Sequence, residues 1–351
     1  MRKPQIIIGI LLGVVLLVLG ACGPAVTEEE ETVPPEEVVT EEEEVVTEEE
    51  VTIEEPVTEV PAKEDPQKNG PPPADTGDVI RLYYYGPSAL GVDPAKVPGP
   101  HNIYSATSND GINFREDLGV RFSYDTGAEF GITDSDVICL NDGSWLMFLS
   151  LGTQLLKATS PTSSGTFTLD NSFNWVRGGV PGSYNFNGTV RTFVCYQGGI
   201  HMATYDQNNG TLNYTGVALN PPSSGMIADP SVIKVGNEYF MFYKYASSHT
   251  APPGEHEIYL ATSADGITWS QHAQNKFICK GSVPGAVYYN GTIYVYYCGL
   301  AHKPGAPPVD MGVAISQDNG VTFTTSTITI QGRTAAGTVD PAAVVVSTHQ
   351  R

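Results

Sequence analysis

One hairpin signature recurs along this chain and limits what it can fold into. Asp229-Pro230-Ser231-Val232-Ile233-Lys234-Val235 is followed by Gly236-Asn237 and then by Glu238-Tyr239-Phe240-Met241-Phe242-Tyr243. This reads as strand, two-residue turn, strand, because Gly-Asn and Asn-Gly supply the positive φ that tight hairpins require. The same register fits Val283-Pro284-Gly285-Ala286-Val287 before Asn290-Gly291, and Val180-Pro181-Gly182-Ser183 before Asn187-Gly188. Asp134-Ser135-Asp136-Val137-Ile138 precedes Asn141-Asp142-Gly143 with one extra turn residue, and Asp340-Pro341-Ala342-Ala343-Val344 gives a fifth start. The starts at 134, 180, 229, 283 and 340 are spaced by 46, 49, 54 and 57 residues, which suits a blade of four strands. A second mark accompanies each start, an apolar strand with a central alanine: Ala106, Ala158, Ala203, Ala261 and Ala314. The unit is split at the ends. Val79–Tyr85 looks like a second strand without a first, and Asp340–Val346 like a first strand without a second. Pairing them would close a ring and remove free sheet edges. The expectation is an all-β, five-bladed β-propeller with a split, ring-closing blade.

Nothing between residues 79 and 351 carries a sustained helical period. That span of about 270 residues is ample for one large core. The formal charge of −21 belongs mostly to what precedes it, since 20 of the 39 acids and 4 of the 18 bases lie before residue 79. The rest is only mildly acidic and has no basic stripe, which argues against a nucleic-acid partner. Ser316-Gln317-Asp318-Asn319-Gly320-Val321-Thr322-Phe323 fits the spacing of the sialidase Asp-box, a structural turn. The arginine cluster of a sialidase is missing. Four cysteines (139, 195, 279 and 298) fall in or beside strands. Cys279 and Cys298 are the one pair placed close enough to bridge; buried free thiols fit equally.

The N-terminus is of another kind. Arg2 and Lys3 precede an apolar run from Ile6 to Leu19, short for a membrane span but suited to a signal peptide. It ends in Leu19-Gly20-Ala21-Cys22, which resembles the lipobox of bacterial lipoproteins. That resemblance implies cleavage after residue 21, lipid attachment at Cys22, and an extracytoplasmic, lipid-anchored place in the cell envelope. Residues 22–78 alternate glutamate runs with Val, Thr and Pro and contain no aromatic residue. Such a segment cannot bury enough apolar surface to order itself and reads as an acidic tether. The division is therefore 1–21 signal, 22–78 lipidated cysteine and tether, and 79–351 propeller.

The stretch from Asp229-Pro230-Ser231-Val232 through Ile258-Tyr259-Leu260-Ala261-Thr262-Ser263-Ala264-Asp265-Gly266-Ile267-Thr268-Trp269 resembles the five-bladed glycosidase clan. The clan comprises glycoside hydrolase family 43, the family 32 invertases and the levansucrases. The resemblance spans 79–346 and implies a glycoside hydrolase-like protein acting on an extracellular glycan. In those families successive blades supply a base or nucleophile Asp, a tuning Asp and a Glu acid. Asp340 matches the first and Asp134 the second, but Val180 stands where the Glu is expected. Asp229, one blade further, is a candidate acid.

The loops offer substitutes. Longer excursions in the later blades carry Glu255, His256 and Glu257, then His302 and Asp310; the split blade has Asp93 and His101. Glu255 and Glu257 are candidate acids, and His101, His302 and Asp93 candidate substrate contacts. The departure at Val180 leaves a second reading open, a non-catalytic propeller that binds glycan or protein. No cofactor is required; a Ca²⁺ beside the aspartates is compatible with the sequence. Partners are a carbohydrate and, through Cys22, a membrane, with the chain a monomer.

Overall fold

A computed structural model describes residues 77–86, 100–125, 131–248, 251, 255–298, 311–335 and 337–347. The signal, Cys22, nearly all of the tether, Asp93 and His302 lie outside the described residues.

Five sheets follow one another as the repeat predicts. Blade 1 holds β1 (Val79–Gly86), β2 (His101–Ser108), β3 (Asn113–Glu116) and β4 (Phe122–Tyr124). Blade 2 holds β5 (Thr133–Cys139), β6 (Trp145–Leu151), β7 (Gln154–Ser160) and β8 (Thr168–Leu169). Blade 3 holds β9 (Gly179–Phe186), β10 (Thr189–Tyr196), β11 (Gly199–Asp206) and β12 (Thr211–Leu219). Blade 4 holds β13 (Met226–Val235), β14 (Glu238–Ala246), β15 (Glu257–Ser263) and β16 (Lys276–Lys280). Blade 5 holds β17 (Ser282–Tyr289), β18 (Thr292–Cys298), β19 (Gly312–Ser316) and β20 (Thr324–Thr327).

Two C-terminal strands return to blade 1. β22 (Val339–Val346) pairs antiparallel with β1 on the inside, and β21 (Thr329–Gln331) pairs parallel with β3 on the outside. Blade 1 thus reads β21-β3-β2-β1-β22 across its sheet, and the split expected from the sequence is the ring closure.

The core is divided among the five interfaces between blades. Tyr83, Tyr85 and Ile103 of blade 1 meet Trp145 and Met147 of blade 2. Leu146 and Phe148 then meet Val190 and Val194, and Phe193 and Ile200 meet Met241 and Tyr243. Phe242 and Leu260 meet Val295 and Ala286, and Tyr296 and Val313 meet Ile80 and Phe114. Alternation along each strand sends one side chain to the preceding interface and the next to the following one. The five marker alanines lie on the third strands, all fully buried, where a small side chain fits between blades. The Ser316–Phe323 box is a turn: Asp318 accepts the Ser316 hydroxyl and the Thr322 amide. Ser108 with Asp110 and Ser263 with Asp265 repeat the device.

The first strands β5, β9, β13, β17 and β22 surround a central channel of about 370 Å³. Each carries a bulge just past its start. Thr133, Gly179, Ala228, Ser282 and Val339 pair across to the second strand, two residues are looped out, and pairing resumes. Proline fills the second looped position in four blades (181, 230, 284 and 341), where its missing N–H costs no ladder bond.

Candidate active site

The first looped residue of every bulge has a left-handed backbone: Asp134 (φ 48°), Val180 (56°), Asp229 (55°), Val283 (51°) and Asp340 (54°). For a β-branched residue this is a strained conformation. Valine therefore occupies it because the fold imposes the bulge, and aspartate suits it better. The left-handed residue lifts its side chain out of the strand's alternation at one end of the channel. The five repeat-start positions thus sit immediately before the residues that line the channel, which begin at Ser135, Pro181, Pro230, Pro284 and Pro341.

Three of the five are carboxylates and they interact. The amide of Asp134 donates to Oδ2 of Asp340 at 3.4 Å, and the Thr133 hydroxyl donates to Oδ2 of Asp134 at 2.6 Å. Asp340 and Asp229 are buried and Asp134 is half-buried. Burial, then repulsion from Asp229, raises the Asp134 carboxyl to about 6, against the Thr133 bond and the Lys244 charge. Burial, then the charge of Asp134, raises Asp340 well above the carboxylate range, against the amide it accepts and Lys244. Neighbouring carboxyls with shifted affinities are how a proteinaceous acid and base are made from like groups.

Asp229 is differently placed. Its Oδ2 lies 2.6 Å from Nζ of Lys244, with both side chains largely buried. Burial lowers the Lys244 pKa, but Asp229 and Asp134 outweigh it and hold the ammonium charged. One carboxylate oxygen of Asp229 is thus committed to the lysine.

Among the loop candidates, Glu255 is exposed. Glu257 accepts the Tyr259 hydroxyl at 3.1 Å and stands across the ladder from Lys280. It is His256, between them, that senses the Asp group: its pKa is lowered by burial and then by Lys244, and Asp229 opposes this. His256 is held by Ser282 Oγ (3.1 Å) and the Ala251 carbonyl (3.2 Å). His101 is buried and stacked on Tyr85 at 5.3 Å. The four cysteines are free, Cys279 and Cys298 included. No group of three or more metal-ligating side chains forms among the described residues.

Lys244, Cys298 and Cys195 were missed by sequence reasoning, although a signal for them exists. Each lies opposite the residue that precedes a bulge, in the pairs Ala228–Lys244, Ser282–Cys298 and Gly179–Cys195. A register drawn from the repeat would have aligned them with Ser150 and Tyr85, which face Thr133 and Val339.

No protein-family model matches the sequence, and no curated protein matches it. The fold does match solved structures. One is an endo-1,4-beta-xylanase from Bacteroides thetaiotaomicron, at 15% identity and a TM-score of 0.52, covering 71% of this chain and 93% of that one. Another is an alpha-L-arabinanase from Cellvibrio cellulosa complexed with arabinohexaose, at 12% identity and 0.54, covering 72% and 95%. At such identities the likeness is one of fold alone.

Proposed function

We propose that this chain is a glycoside hydrolase acting on an extracellular glycan, held in the cell envelope by lipid at Cys22. The observation that carries the proposal is the contact between Asp134 and Asp340 beside the channel, with the proton affinities of both carboxyls raised. Glycoside cleavage needs one carboxyl to protonate the departing oxygen and another to activate water or attack carbon. In this reading Asp340, raised well above the carboxylate range, is the protonated member and Asp134 the ionised one. That reverses the roles implied by the family resemblance. Asp229 with Lys244 then serves as a fixed dipole beside the reacting pair.

The test is hydrolysis of a panel of chromogenic pentosides, fructosides, galactosides and mannosides by the full-length chain in detergent. Turnover is expected to fall about 100-fold or more in Asp134→Asn and in Asp340→Asn. The value of kcat/KM is expected to rise as pH increases through about 6, where Asp134 ionises, and to fall at higher pH as Asp340 loses its proton. Loss of envelope attachment in Cys22→Ala tests the anchor.

A second reading rests on Val180, an apolar side chain where the resemblance expects the acid. A glycan-binding propeller without catalysis predicts polysaccharide binding, no turnover on any substrate, and equal affinity in Asp340→Asn.

A further inference from the structure

Five second-strand residues pair with the residues just before the bulges: Ser150, Cys195, Lys244, Cys298 and Tyr85. Three of them reach forward to the backbone of the next blade's first strand. Ser150 Oγ of blade 2 accepts the amide of Val180 in blade 3 at 2.5 Å. Cys195 Sγ of blade 3 contacts the Ile227 carbonyl, two residues before Asp229 in blade 4, at 3.5 Å. Cys298 Sγ of blade 5 accepts the amide of Asp340, in the closing strand β22, at 3.2 Å. Where the next bulge carries a reacting group, this forward contact fixes that group.

We propose that Cys298 is a positioning residue for Asp340. Its sulfur holds the left-handed Asp340 backbone through the amide, and its thiol lies against the carboxyl, with Sγ 3.9 Å from Oδ1. The proposal rests on the reading of Asp340 as a reacting carboxyl. Cys298 is buried, and burial above all keeps it a thiol rather than a thiolate. It is thus a neutral post and not a nucleophile. The ionisable groups that act on Asp340 are Asp134 of β5, Asp229 of β13 and Lys244 of β14, and Asp340 in turn acts on Cys298 of β18. Only Cys298 touches both the amide and the carboxyl. Serine at the equivalent post of blade 2 accepts the corresponding amide, so a hydroxyl can replace the sulfur there.

The experiment uses full-length protein labelled with ¹³C-aspartate, the Asp340 carboxyl resonance being identified by its loss in Asp340→Asn. In Cys298→Ala the Asp340 titration is expected to move by about half a pH unit or more. The value of kcat is expected to fall about tenfold at unchanged KM. Cys298→Ser should restore both. A Cys298→Ala protein that titrates and turns over as the unaltered chain does would overturn the proposal. If Cys298→Ala does not fold, the S–H stretching band of Cys298 decides, isolated by difference against Cys298→Ser. That band should shift in Asp340→Asn; a band indifferent to that substitution also overturns the proposal. If the chain hydrolyses no glycoside, the catalytic reading fails, while the titration and the S–H band still judge the contact.

Discussion

A carboxyl without a counter-charge marks Asp136 in the central channel. Burial raises it to about 6, despite hydrogen bonds from Ser183. Its Oδ2 has no hydrogen-bond partner. The unfolded chain releases this proton near the ordinary aspartate value, whereas the folded chain keeps it until about 6. Stability therefore falls as pH rises from about 4 to 6, and the deficit stays constant above that. Asp136→Asn is expected to stabilise by about 1–3 kcal/mol at pH 7–8 and to melt like the unaltered chain below about pH 4. Equal melting temperatures at both pH values would refute this. The same scale shows what the sequence conceals. The repeat starts at 134, 229 and 340 are visible as aspartates, but which one carries a proton depends on Lys244 and on contact between blades. Neither follows from the order of residues.

At the scale of strands, the blades were legible because each rests on local chemistry. Gly-Asn and Asn-Gly turns fix the hairpins, and an alanine marks each third strand. The bulges were not legible, since Asp-Pro and Val-Pro pairs also begin regular strands. Yet the bulges set how closely the first strands approach. A Cβ added at Gly182 of β9 would lie 1.7 Å from the Pro230 carbonyl oxygen of β13, and one at Gly285 of β17 would lie 2.3 Å from that of Pro341 in β22. These atoms are backbone and cannot swing aside. Gly182→Ala is expected to destabilise by about 2–4 kcal/mol. Gly236→Ala, in a turn where an added Cβ meets nothing within 4 Å but φ is +59°, should cost only about 1 kcal/mol. Denaturant melts of the two variants check the difference; equal losses would mean the strands can separate at the channel.

The whole ring depends on how blade 1 is closed. The segment from Thr329 to Val346 clasps blade 1 on both edges, through β21 outside and β22 inside. Between them Thr334 bonds to Glu116, its hydroxyl at 2.6 Å. Without the segment, Tyr83, Tyr85 and the edge of β1 lose their cover. Deleting residues 329–351 is expected to abolish cooperative melting, and adding that peptide in trans to restore it. A truncated chain that melts sharply at the original temperature would show the clasp to be dispensable.

The clasp also orders events in time. The strand that completes blade 1 on the inside, β22, is synthesised more than 250 positions after β1. At roughly 5–20 residues per second, the ribosome needs on the order of 10–50 s to cover that distance. Through that interval the nascent chain holds four blades at most and no finished ring. A polypeptide whose latch is made so much later than the strand it grips remains threadable until that latch emerges.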